Sequence, residues 1–146
     1  MDLFRDLYQQ LIIDHNQNPR NFRVIEKPSH SAEGQNPLCG DQLSIFIIEL
    51  DGKIEDISFI GDGCAISKAS ASIMTSTLKG LSVEEGQSLF EKFHTLVTTG
   101  NSSEGLGKLE VLGGVHKYPS RVKCASLAWH TFNGAVNKIE DTIRTE

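Results

Sequence analysis

Apolar residues first recur every three or four positions. Leu3, Phe4, Leu7, Tyr8, Leu11 and Ile12 form one stripe of a helix. Asp2 supplies an N-cap, and Asn18-Pro19 ends the pattern, because a residue before proline disfavours helix. Residues 20–38 hold no period and read as irregular chain with room for one extended piece. The period then drops to two. Leu43, Ile45 and Ile47 alternate with Gln42, Ser44 and Phe46, and Asp51-Gly52 supplies the positive-φ residues of a tight hairpin turn. The return strand begins with Glu55, Ile57 and Phe59 and ends at Gly61-Asp62-Gly63.

After Cys64 the pattern turns helical again. The run AISKASASIMTSTLKG predicts a helix packed closely through Ala and Ser and stopped by Gly80. Ser82 and Glu85 form a capping box for a helix with Val83, Leu89, Phe90, Phe93 and Val97 on one face, ending before Gly100. Residues 100–118 are a glycine-broken connection with a short helical turn around 106–112. A last helix starts near Pro119-Ser120, with Ala125, Ala128, Phe132, Ala135, Ile139 and Ile143 as its buried stripe. Strands early and helices late predict an α+β fold, a small antiparallel sheet with helices packed on one face. A chain of 146 residues without repeats or linkers predicts a single domain over residues 1–146.

Charge and composition narrow the function classes. The formal net charge of −5 argues against a general nucleic-acid surface and against attraction to anionic membranes. No apolar run approaches the ~20 residues of a membrane span. The acidic, amphipathic start is no signal peptide, so a cytoplasmic location is expected. Three cysteines, an odd number in a reducing compartment, favour metal or redox chemistry over a disulfide framework.

Those cysteines fall at element ends. Cys39 stands two residues before Asp41, and in extended chain residues i and i+2 project from one side, so thiolate and carboxylate can converge on one ion. Cys64 lies in a glycine-flanked turn before a helix, and Cys124 in the first turns of the last helix. A helix N-terminus favours thiolate over thiol, and Arg121 and Lys123 push Cys124 the same way. Three thiolates and one carboxylate can complete tetrahedral coordination of Zn²⁺. The cysteine spacing matches no standard finger or ribbon, and a free cysteine often fills core space, so spacing leaves both readings open.

Three stretches in order, NPLCGDQL, GDGCAISKASASIM and RVKCASLAWHTF, resemble the IscU/NifU-N family of iron–sulfur cluster assembly proteins. The early run LYQQLIIDHNQNPRNF is similar to that family's opening helix, so the resemblance covers essentially the whole chain. It implies one SufU/IscU-like domain with a SufE/NifU-like fold and a metal site of Cys39, Asp41, Cys64 and Cys124. Three departures from the scaffold members match the SufU-type branch of Gram-positive bacteria. Lys123 stands where scaffold members carry histidine. The stretch HKYPSRVKC replaces their Leu-Pro-Pro-Val-Lys chaperone peptide, and the gap between the second and third cysteines is longer.

That branch implies zinc-dependent transfer of persulfide sulfur from a SufS-type cysteine desulfurase, onward to downstream iron–sulfur scaffold proteins. A desulfurase histidine would take a zinc position and free Cys39 as the acceptor. Apart from the family, Cys39 sits beside Gly40 in an irregular segment, where a ligand swings out cheaply. Arg121 and Lys123 are expected around the ligands or at the desulfurase contact. The alternatives are a scaffold for a transient [2Fe–2S] cluster on the same residues, and a binding module with purely structural zinc. His15, His30, His94, His116 and His130 show no pairing at metal spacing and read as structural or surface residues, and Trp129 reads as packing. Gly61 and Gly63 read as the turn that presents Cys64, since no phosphate-loop pattern follows.

Overall fold

The computed structural model describes the backbone of residues 3–145 and the side chains of residues 6–145. Helix α1 spans Leu3–Gln17 and stops before Asn18-Pro19, as the pattern predicts. The Asp2 cap and the Leu3 and Phe4 side chains lie outside the described residues. The buried stripe is narrower than expected: Ile12 is buried, Tyr8 and Leu11 pack partly against the core, and Leu7 is exposed.

Strands β1 (His30–Asn36), β2 (Asp41–Leu50) and β3 (Lys53–Asp62) form an antiparallel sheet in the order β3-β2-β1. The extended piece allowed for in residues 20–38 is thus a full strand. Its sequence, HSAEGQN, has no apolar alternation, so ladder pairing with β2 makes it a strand. Asp51 and Gly52, at φ 52° and 79°, close the β2–β3 hairpin in the way that suits the strands' twist. A bulge breaks the expected alternation of β3. Ile48 pairs with Asp56 and Glu49 with Ile54, so Glu55 is extra and Ile54 joins Ile57 and Phe59 in the core. Residues 21–23 cover the outer edge of β3: Arg23 N–H donates to Phe59 O and Phe59 N–H to Asn21 O, both at 3.0 Å.

Helices α2 (Ala65–Leu78), α3 (Val83–Thr99) and α4 (Pro119–Val136) complete the core. They lie on one face of the sheet. Asp41, Leu43, Ile45 and Ile47 of β2 are buried toward them, whereas Gln42, Ser44 and Phe46 are not. Small residues let α2 and α4 meet closely; Ala69, Ser70 and Ala71 are buried, and Ser70 Oγ donates to Ala125 O at 2.6 Å. The predicted capping box opens α3, and Gly100 at φ 83° ends it. Phe93 of α3 stacks on Trp129 of α4 with ring centroids 4.6 Å apart, so Trp129 is packing as expected. The turn expected near 106–112 extends into a 3₁₀ helix, Gly107–Lys117, which buries Leu109, Leu112 and Val115.

Helix α4 ends at Val136, so Ile139 and Ile143 do not continue its stripe. Lys138 takes a left-handed φ of 58°, and the N–H groups of Lys138 and Ile139 bond back to the Ala135 and Gly134 carbonyls. Ile139 is exposed, and Ile143 enters β4 (Ile143–Arg144), a two-residue strand parallel to β1.

One close approach fixes α4 against the sheet. A Cβ on Gly34 of β1 would lie 2.0 Å from Thr131 Oγ1 and 3.1 Å from Leu127 Cδ1, so only glycine fits there. Gly34→Ala is expected to cost ~1–3 kcal/mol through overpacking, read by urea unfolding. A loss below about 0.5 kcal/mol, the range of an exposed site, would mean that α4 does not need this gap.

Candidate metal centre

Asp41 opens β2, and the pleat puts it in the inward row with Leu43, Ile45 and Ile47, so it is only 1% exposed. A carboxylate there needs hydrogen-bond donors. Its Oδ1 accepts the Cys64 backbone N–H at 2.8 Å, and its Oδ2 accepts from Asn36 Nδ2 at 3.1 Å. Gly63 leaves the space for this: a Cβ there would lie 2.7 Å from Asp41 Oδ1.

Cys39 arrives beside Asp41 by a route other than the expected i, i+2 pleat. Asn36 and Asp41 face each other across the β1–β2 ladder, and residues 37–40 form the turn between them. The Cys39 N–H bonds the Asn36 carbonyl at 3.2 Å, and Gly40 takes φ 72°. Cys39 is exposed, whereas Cys124, in the second turn of α4, is 3% exposed; their Sγ atoms are 3.3 Å apart. One ligand atom each of Cys39, Asp41 and Cys124 lies within 4.8 Å of the others, compact enough for one ion to draw together. Cys64 falls outside that group. As N-cap of α2, its Sγ accepts the Ser67 N–H at 3.4 Å, and it borders the group through Cys124.

The inner thiols respond in opposite senses. The hydrogen bond with Cys124 holds Cys64 down to about 7 against the pull of burial, and the Ser67 N–H helps. Cys124 is pushed up, first by the bond to Cys64 and then by burial. The expectation that its helix position, Arg121 and Lys123 would make Cys124 a ready thiolate is therefore reversed. The Cys64 sulfur beside it and its own burial set that direction. Arg121 lies over the Tyr118 ring, 4.6 Å from its centroid, and Lys123 is half-buried with its carbonyl accepting the Thr145 hydroxyl at 3.2 Å. Among the described residues, neither side chain hydrogen-bonds a cysteine.

Asn36 is the site residue that sequence reading misses. It is fully buried, and its Nδ2 also donates to Cys124 Sγ at 3.4 Å. An asparagine before proline at a strand end already has an explanation as a turn former, which hides its inward side chain. Tyr8, assigned to the α1 stripe, has a buried hydroxyl without a hydrogen-bond partner among the described residues, within electrostatic reach of Cys64, Cys124 and Arg121. None of the five histidines joins the ligand group among the described residues; His15, for one, shares a 2.7 Å hydrogen bond with Ser72 Oγ. Soft sulfurs with one oxygen suit zinc, and thiolates also suit iron–sulfur clusters.

Fold and site together define a small α+β protein that gathers thiols and a carboxylate at one end of its sheet in a group able to hold a metal ion. The chain matches the family described as NifU-like N terminal domain over residues 7–138, and it belongs to that family. It is 42% identical over 137 residues to the zinc-dependent sulfurtransferase SufU of Bacillus subtilis, covering 92% of each chain. It is 37% identical over 139 residues to the iron-sulfur cluster assembly scaffold protein IscU of Thermotoga maritima, covering 94% of this chain and 97% of that one. The crystal structure of FiSufU from Fervidobacterium islandicum matches with a TM-score of 0.84 at 30% identity, over 90% of this chain and 98% of that one. The α+β fold and the family resemblance are thus borne out. No helix among the described residues is long and apolar enough to cross a membrane.

In the metal-free protein, the first ionisation of the cluster is expected near pH 7, as a rise in thiolate absorbance that Cys64→Ser abolishes. With its folded value depressed, Cys64 contributes stability fully above the unfolded value of 9.0 and loses it as pH falls through about 7. A first step that stays near 9.0, or survives the substitution, would remove the hydrogen bond between Cys64 and Cys124 as the cause.

Proposed function

We propose that this chain serves iron–sulfur cluster assembly as a zinc-dependent sulfurtransferase, with Cys39 accepting persulfide sulfur from a SufS-type cysteine desulfurase. One observation carries the reading: of the three cysteines only Cys39 is exposed, on a turn whose next residue, Gly40, has φ 72°. Similarity to a protein named zinc-dependent sulfurtransferase supports it. Leu38, exposed at 66%, gives the same turn an apolar face for a protein partner.

In this reading Cys39, Asp41, Cys64 and Cys124 hold zinc, and bound zinc keeps the thiols deprotonated. The Cys39 thiolate attacks the terminal sulfur of the desulfurase persulfide. A sulfur–sulfur bond forms to Cys39, the bond to the desulfurase cysteine breaks, and that cysteine departs as a thiolate. One sulfane sulfur moves and no oxidant is needed. Asp41 keeps its place on its two N–H donors while Cys39 moves. Arg121 and Lys123 offer positive charge at the start of α4 to the desulfurase. Downstream iron–sulfur scaffold proteins receive the sulfur, in the cytoplasm where thiols stay reduced.

A scaffold holding a [2Fe–2S] cluster on the same residues draws support from relatives named iron-sulfur cluster assembly scaffold protein IscU. Lys123 at the scaffold histidine position and HKYPSRVKC in place of the chaperone peptide favour sulfur transfer. The test measures bound metal and follows radioactive sulfur from cysteine through a SufS-type desulfurase. Bound zinc, strong desulfurase stimulation and loss of label in a zinc-loaded Cys39→Ser protein are expected. Label persisting on that variant would overturn Cys39 as acceptor, and a brown protein with little stimulation would favour the scaffold. Asp41→Ala is expected to alter zinc retention or sulfur transfer; unchanged behaviour in both would take Asp41 out of the ligand set.

A further inference from the structure

The ligand cluster is held unevenly. Asp41 takes two N–H groups, Cys64 takes the Ser67 N–H, and Cys124 takes an Asn36 N–H. Among the described residues, Cys39 Sγ is hydrogen-bonded only by the Cys124 thiol, 3.3 Å away. Asn36 therefore serves two inner groups at once. Its amide nitrogen carries two hydrogens, one for Asp41 Oδ2 at 3.1 Å and one for Cys124 Sγ at 3.4 Å. Chemistry selects this orientation, since the flipped amide would set its oxygen against the Asp41 carboxylate.

The arrangement is not what a turn requires. The turn uses the Asn36 backbone carbonyl, which accepts the Cys39 N–H. The side chain is nonetheless fully buried, and its Oδ1 has no hydrogen-bond partner among the described residues. Buried polar atoms are nearly always paired, so this one is tolerated for what the other end of the amide does.

We propose that Asn36 is a positioning residue that clamps Asp41 to Cys124 and so leaves Cys39 as the ligand free to exchange. The inference rests on the zinc reading above. Donors to metal ligands fix ligand orientation and disperse their negative charge, and Asn36 does both for a strand ligand and a helix ligand together.

The test is zinc affinity by chelator competition on the full chain, arranged as double-mutant cycles. Asn36→Ala is expected to weaken zinc binding by about 10-fold in the otherwise unchanged protein and in the Cys39→Ser background. In the Asp41→Ala background the loss should shrink to about 3-fold, because one of the two bonds is already gone. Isosteric Asn36→Asp, which removes both donors, should shift the thiolate-to-cobalt absorption of the cobalt-loaded protein. In the unmodified protein, both Asn36 side-chain amide protons should move in NMR spectra when zinc is added, a readout that needs no variant to fold. Equal losses in all backgrounds, no loss at all, or amide protons indifferent to zinc would each overturn the clamp alone. An unmodified protein that binds no zinc would overturn the zinc reading and the clamp with it.

Discussion

A carboxylate with 1% exposure at the start of β2 sets the terms for the rest of the molecule. Left bare, an ionised Asp41 would cost several kcal/mol. Its two donors come from opposite sides, the Cys64 N–H from the β3–α2 junction and the Asn36 amide from the end of β1. Satisfying one side chain therefore draws three segments to one point, with Cys39 on the turn between two of them. Both donors are neutral amides. The negative charge is hydrogen-bonded but not cancelled, which is the condition a cation site needs.

The helices extend that constraint into the core. Gly34 lets α4 lie against β1, and Ser70 bonding the Ala125 carbonyl holds α2 against α4 one residue beyond Cys124. The N-cap of α2 is cysteine rather than a commoner hydroxyl or carboxamide cap. The sulfur makes a longer, weaker capping bond, and the helix tolerates it because the same atom stands beside Cys124. Cap strength has been exchanged for the location of a thiol.

What the sequence made legible follows from where each signal resides. The hairpin turn, the capping box, helices α2 and α3, the end of α1 and the start of α4 are written in local periods and turn residues, and they stand as predicted. Strand β1 is not written locally: HSAEGQN becomes a strand only because β2 pairs with it. The bulge at Glu55 and the left-handed Lys138 are backbone choices made by closure, so periodicity carried β3 and α4 past the positions where they change course. At the site, cysteines 25 and 60 residues apart say little by spacing, and the family motifs identify them. Asn36 stayed hidden because it lies in a stretch without a period, where nothing marks its side chain as inward. The direction in which Cys124 shifts stayed hidden because it depends on a thiol 60 positions away.

The graded exposure of the three cysteines bears on what such a site is for. A closed zinc site with four equally held ligands serves structure, and its thiolates are poor nucleophiles. A sulfur carrier needs an accessible thiolate without losing its metal each time that thiolate leaves. The two demands separate if the ligands are divided. Cys64, Cys124 and Asp41 each hold at least one N–H from the protein, and Cys39, on its glycine-flanked turn, holds none that the described residues supply. Displacing Cys39 leaves those donor bonds intact, whereas displacing Cys124 or Asp41 would leave one of the two buried Asn36 N–H groups without its acceptor. The asymmetry therefore makes one departure cheap and the others costly, which is the division that the proposed sulfur transfer needs.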